Sequence, residues 1–314
     1  MDTASLTWTD AGLAYFDIDG GYLLNDRLHA TTDPHPDRQE AQFTMPDETT
    51  VALFNDGFED DGAYTELVTA ITGDTSTTHE VEGMNWVAAR CGDRVFGISE
   101  ATGPHALPSD EPGGPSRLFL RQLYPAVDRD APPAALTTPV TLAGFAPDAP
   151  CVDGVIHYLG YQDESTPVLA QWDTIHNRFT TTPLTDPAGQ PLFADATDDV
   201  IGPWSMNSHS WRDDRLVWFG GDGIVRSTDP TTGITTDRFP TRGDVRLYAQ
   251  ITPLFTQNWL YVLDAPADLN APIGLWRYDL DTGDETPLLT IDDLNTIRGQ
   301  NLVIRGTAIA PTHQ

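Results

Sequence analysis

Short apolar runs alternate with polar, turn-forming stretches along the whole chain, and almost none of it is patterned for helix. No long stretch places apolar side chains at three- and four-residue spacing behind a plausible cap. The runs are instead rich in Val, Ile, Leu, Tyr, Trp and Thr and are cut by Gly, Pro, Asn and Asp, which predicts strands joined by turns. Seven runs stand out, beginning near positions 12, 51, 94, 155, 216, 260 and 302. Examples are Leu13 to Phe16, Val51 to Phe54, Val155 to Leu159 and Leu216 to Phe219. Their separations are 39, 43, 61, 61, 44 and 42 residues, a spacing that predicts a repeating all-β unit with room for two loop insertions.

The repeat is visible in the residues as well. Val155 to Tyr161 is followed after a polar loop by Pro167 to Asp173, and Trp259 to Asp264 is followed by Pro272 to Asp279. A shorter copy runs from Leu216 to Gly221 and then from Ile224 to Asp229. Each copy continues through a turn (Asp173 to Asn177, Asp229 to Gly233, Asp279 to Gly283) into a Thr-containing strand. Asp bonds the backbone of its own turn, and Asn or Gly accepts the positive φ of a tight hairpin. The pattern resembles the β-propeller superfamily over essentially the whole chain, and the resemblance implies four-stranded blades around a central channel. Trp172-Asp173 is similar to the strand end of WD repeats, without the Gly-His dipeptide of that class. Ser227 to Thr235 is similar to the Asp box of sialidases, with one residue too many and no aromatic. The expected fold is one domain over residues 1–314, an all-β propeller of six or seven blades. Pairing of Ser5–Thr9 with a C-terminal strand over Leu302 to Ala310 would close it and remove two sheet edges.

Charge narrows the partners. The chain of 314 residues has no lysine, and 17 arginines face 47 acidic residues for a net charge of −30. So negative a field repels phosphate backbones and anionic membrane surfaces, so neither nucleic acid nor membrane is expected as a partner. The bias fits a GC-rich or salt-adapted host. No apolar run reaches the length of a membrane span, and Met1 to Asp10 lacks the basic start and apolar stretch of a signal peptide. A soluble, cytoplasmic monomer is the expectation.

The two cysteines, Cys91 and Cys151, precede turns of neighbouring blades, Gly92-Asp93 and Asp153-Gly154. Equivalent turns diverge from a propeller axis, so both are expected as thiols. Asp17 and Asp19 in one Gly-containing loop, and Asp56, Glu59 and Asp61 in another, could hold Ca²⁺ through oxygen ligands, although neither loop has EF-hand spacing. No cofactor other than that Ca²⁺ is expected. The histidines offer no zinc spacing, and no Gly-x-Ser-x-Gly elbow occurs.

Trp204, His209, Trp211 and Arg212 form the candidate ligand site, since two indoles, an imidazole and a guanidinium fall within nine residues next to an inner strand. Strand alternation would put His209 and Trp211 on one face and Ser208, Ser210 and Arg212 on the other. With no complete catalytic motif present, the expected function is a non-enzymatic binding or scaffold propeller, taking a protein or small polar ligand at its loop face or channel mouth. The alternative is a carbohydrate-active hydrolase or lyase with Asp and Glu at the channel mouth.

Overall fold

The computed structural model describes residues 5–9, 12–17, 20–24, 28–30, 39–73, 75–102, 116–127, 134–138, 140–142, 146–162, 166–193, 204–242, 248–266, 268 and 271–292. The described elements are twenty-five strands and one short 3-10 turn, in an arrangement of antiparallel sheets that is an all-β propeller.

Each sheet draws its strands from one continuous stretch of chain. The first has the order β1 (Ser5–Thr9), β2 (Gly12–Asp17), β3 (Gly20–Leu24), β4 (Leu28–Ala30). The second runs β5 (Gln39–Thr44), β6 (Thr50–Phe58), β7 (Tyr64–Thr72), β8 (Thr75–Glu82). The third is β9 (Met84–Cys91), β10 (Arg94–Glu100), β11 (Ser116–Tyr124), β12 (Ala134–Thr138). In the fourth, β13 (Val140–Leu142) and β14 (Cys151–Val152) both pair with β15 (Val155–Gln162), followed by β16 (Thr166–Asp173) and β17 (Arg178–Pro183). The fifth is β18 (Trp211–Arg212), β19 (Arg215–Phe219), β20 (Ile224–Thr228), β21 (Thr235–Pro240). The sixth is β22 (Tyr248–Phe255), β23 (Trp259–Pro266), β24 (Ile273–Asp279), β25 (Glu285–Ile291).

Six of the seven apolar runs therefore mark the second strand of a sheet. In β6 and β19 the reason is burial on both faces: Val51 to Phe54 are each at most 1% exposed, and so are Leu216 to Phe219. A strand covered on both sides reads as a continuous apolar run instead of an alternating one. The last strands behave oppositely. In β25, Glu285, Pro287, Leu288, Leu289 and Thr290 are exposed.

Two expectations need correction or restriction. Five blades, from β5 to β25, carry a described core, not six or seven; the sheet β1–β4 is defined by its strand pairing, and the run at 302 lies outside the described residues. Ser5–Thr9 pairs with β2, while the strand expected to close the ring, Leu302 to Ala310, also lies outside them.

The chain divides into two compact units. One holds Met1–Ser165, Ala170–Thr180 and Arg305–His313, and the other Thr166–Leu169, Thr181–Ile304 and Gln314. In the first, Val87, Phe96, Ile98, Leu118, Ile156, Tyr158 and Trp172 belong to one cluster built from the third and fourth sheets. In the second, Val217, Phe219, Phe239, Phe255, Leu260 and Tyr278 join the fifth and sixth sheets.

Candidate functional site

The segment from Trp204 to Arg212 is not a strand along its length. Asn207 caps a 3-10 turn over Ser208–Ser210: its Oδ1 accepts from the His209 N–H at 2.9 Å, and its own N–H donates to Ser210 Oγ at 3.0 Å. These side-chain bonds offer the backbone an alternative to the sheet ladder, so β18 shrinks to Trp211–Arg212 and the expected alternation does not occur. Trp204 turns inward, 8% exposed, with its ring 5.8 Å from that of Trp218 and 6.4 Å from that of Phe193. Arg212 donates to Asp281 Oδ1 at 2.8 Å and to the Gln257 carbonyl, which commits its guanidinium to the sixth sheet's turns. Trp211 is half-buried and His209 is exposed. Of the four candidate ligand residues, two are thus engaged in packing and ties.

The second acidic loop is laid out as a turn. Asp17 ends β2 opposite Gly20, and Asp19 lies outside the described residues. Asp56 is exposed and falls where the β6–β7 register shifts, between Asn55 and Gly57. Asp61 Oδ1 accepts from the Ala63 N–H at 3.0 Å, and the Glu59 N–H donates to the Ala63 carbonyl at 2.8 Å. Among the described residues no three His, Cys, Asp or Glu side chains form a group able to hold a metal ion.

Cys91 and Cys151 are joined in a disulfide, with Cα atoms 5.3 Å apart, and the expectation of two free thiols is overturned. The cause lies just upstream of Cys151. Residues 146–149 run along β9: the Ala146 N–H donates to Trp86 O at 2.8 Å, Ala88 N–H to Ala146 O at 3.0 Å and Ala149 N–H to Ala88 O at 2.8 Å. This docking carries the start of β14 to the end of β9, so the two turns converge instead of diverging. The shared position of both cysteines before Gly- and Asp-containing turns was the one signal of this in the sequence.

A cavity of about 650 Å³ opens where three hairpin turns meet around this bond. Cys91, Asp93 and Arg94 come from the β9–β10 turn, Cys151, Asp153 and Gly154 from β14–β15, and Thr174 and Ile175 from β16–β17, with Phe96 beneath. The third turn is held to the second by Thr174, whose N–H and Oγ1 both donate to Gly154 O, at 2.9 and 2.8 Å. Only glycine suits position 154: φ is +79°, and a Cβ there would come within 2.8 Å of Ile175 Cδ1. The third turn is itself braced. Asp173 Oδ1 accepts from the N–H groups of Ile175 and His176, and Trp172 Nε1 donates to Asn177 Oδ1 at 2.9 Å. The backbone N–H of His176, then its ring, hold the Asp173 carboxyl below the usual carboxylate range. The result is a concave surface with Phe96 and a disulfide within and charged Asp93, Arg94 and Asp153 around it, while Ile175 stands 71% exposed at its edge.

Strongly perturbed titratable groups lie elsewhere. Burial pushes His157 down to about 4 and Tyr158 upward, and both sit in the core of β15. Burial raises Asp264, whose carboxylate accepts from Gly274 N–H at 2.9 Å and Trp276 Nε1 at 3.1 Å. Asp264 is a hydrogen-bonded structural group and Tyr158 Oη is buried without a hydrogen-bond partner among the described residues; none of the three lines the cavity described above.

No protein-family model matches the chain, and no curated protein matches it. Solved structures do resemble it. A prolyl endopeptidase aligns at 11% identity with a TM-score of 0.55, over 92% of this chain and 42% of its own. A puromycin-hydrolysing peptidase of Mycobacterium tuberculosis aligns at 13% identity and 0.50, over 93% of this chain and 46% of its own. BamB from Moraxella catarrhalis aligns at 11% identity and 0.43, over 92% and 85%. The chain spans less than half the length of either peptidase. At such identities the likeness to the two peptidases carries the fold alone, and that fold is the β-propeller.

Proposed function

We propose that this propeller is a binding protein that receives a small polar ligand, or a segment of a protein partner, in the cavity around Cys91–Cys151. One observation carries the reading: three braced turns form a concavity of about 650 Å³, within the usual size range of ligand sites, with an apolar interior and charged groups of both signs around it. Nothing observed favours the hydrolase alternative, since His157, Tyr158 and Asp264, whose acidity is shifted by burial, do not line this cavity. The segment Trp204 to Arg212 and the Ca²⁺ loops are left outside this reading, because Arg212 and Asp61 already serve as ties and caps.

The test is a thermal-shift screen with sugars, aliphatic and aromatic carboxylates and short peptides. A ligand at 100 times its Kd stabilises the native state by about 2.7 kcal/mol, which a melting curve resolves. At least one class is expected to raise Tm, and Ile175→Asp, a change at an exposed position, should abolish that shift while leaving the unliganded Tm nearly unchanged. No response from any class, or an equal response in the variant, would count against the site. The net charge of −30 supports leaving nucleic acid out of the partners, and a gel shift with duplex and single-stranded DNA should show no submicromolar binding.

A further inference from the structure

We propose that Cys91–Cys151 is a reversible thiol–disulfide exchange site whose reduction frees one edge of the cavity, so that a dithiol reductant controls access to it. The inference rests on the binding reading above for its consequence, but not for its chemistry.

Three observations support it. First, the bond is reachable. Both cysteines are half-buried and both line an open cavity, whereas a disulfide that serves only as a structural staple gains resistance to reduction from enclosure. Second, the junction does not depend on it. The third and fourth sheets already share a cluster of twelve buried residues, and residues 146–149 are bonded to β9 through three backbone hydrogen bonds. Cutting the S–S bond therefore leaves the sheets packed. Third, the two turns it joins are unequally anchored. Both close paired hairpins, Cys91 with Arg94 and Val152 with Val155, but Gly154 is also fixed by both donors of Thr174, while a Cβ built at Gly92 would meet nothing within 4 Å. Gly92, Asp93 and Arg94 are exposed. Reduction should therefore release the β9–β10 turn and leave the β14–β15 turn in place.

The step balances as ordinary exchange. A thiolate of the reductant attacks one sulfur of the pair, forming a mixed disulfide and releasing the other cysteine as a thiolate, which takes up a proton. The second thiol of the reductant then attacks the mixed disulfide, so that the protein gains two electrons and two protons and the reductant leaves as its own disulfide. Arg94 moves with the freed turn, which takes the cavity's guanidinium out of the position it holds in the oxidised protein.

The full chain is incubated with dithiothreitol at 25 °C without denaturant, alkylated and analysed by mass. Far-UV circular dichroism and hydrogen exchange are followed on the same samples. Two labels are expected under native conditions, with an unchanged dichroism spectrum. Amide exchange should rise on the order of tenfold at residues 91–94 and stay unchanged at 153–154, as local opening of a hairpin end that has lost its covalent tie requires. Labels that appear only in denaturant, loss of the native spectrum on reduction, or equal exchange changes in the two turns would each overturn the proposal. Any compound that scores in the thermal-shift screen is then tested in both redox states. Equal binding in both would overturn control of the cavity, whereas binding in neither state would sink the ligand reading and leave the exchange chemistry standing.

Discussion

The junction between the third and fourth sheets and the junction between the fifth and sixth meet the same demand by different means. Each joins the first strand of one sheet to the turns of the next, and each has an apolar cluster at its centre. The first closes its edge with a covalent bond, Cys91 to Cys151. The second closes the corresponding edge with Arg212, which reaches Gln257 O and Asp281, helped by Arg238 on Leu280 O at 2.6 Å and Asn207 on Phe255 O at 2.8 Å. One closure is indifferent to salt and sensitive to reductant, and the other is the reverse. The cavity is found at the covalent edge. At the polar edge the Arg212 side chain reaches across between the turns instead.

The largest expected effect comes from removing the covalent closure. In the chain-entropy account, a loop of 60 residues makes the Cys91–Cys151 bond worth up to about 4 kcal/mol. The double variant Cys91→Ser, Cys151→Ser should lose up to that amount in denaturant unfolding and still fold at 25 °C. A loss beyond it would mean that the cluster does not hold the junction without help.

Acid should act next, and chiefly on the same side. Burial lowers His157 in the folded state to about 4, from about 6.5 when exposed. A base whose folded value is depressed contributes stability above its unfolded value and loses it as pH falls through the interval down to the folded one. Unfolding free energy should thus drop by about 3 kcal/mol between pH 6.5 and 4, and His157→Gln should flatten that slope.

The polar closure predicts less. Arg212→Ala should cost about 1–2 kcal/mol, because it removes two hydrogen bonds from a charged donor but leaves an exposed Asp281 that water can solvate. Part of that difference should vanish at 1 M salt, where the cysteine variant's deficit should persist.

The smallest effect concerns the repeated turns. Asp173, Asp229 and Asp279 are each held below the ordinary carboxylate value, first by the N–H three residues on, from His176, Thr232 and Thr282. Depressed carboxyls contribute stability above about pH 4 and lose it as pH falls through their folded values. A further shallow decline in Tm below pH 4 should be weakened by Asp279→Asn, and a steeper one would point to a buried carboxylate instead.

These contrasts also mark what could be read without coordinates. The second strands were legible because two-sided burial is written locally, as in Val51 to Phe54 and Leu216 to Phe219. The Asp-led turns were legible for the same reason: donor and acceptor lie within three residues. The partner of Cys91 was not, because it depends on where residues 146–149 dock, 60 residues of chain away. Nor was the fate of Ser208 to Ser210, where Asn207 and Ser210 outcompete the ladder that the flanking tryptophans suggest. The cavity is the joint product of three turns from two sheets, and no single one of them announces it.

The continuous run of chain that supplies each sheet sets the timetable of synthesis. A ribosome adding 5–20 residues per second delivers a four-stranded sheet before most of the next one exists, so the first pairings available to the nascent chain are already the native ones. The 60 residues between Cys91 and Cys151 emerge in roughly 3–12 s. For that interval Cys91 waits at the end of a finished hairpin, and with only two cysteines in the chain it has no sibling with which to pair wrongly.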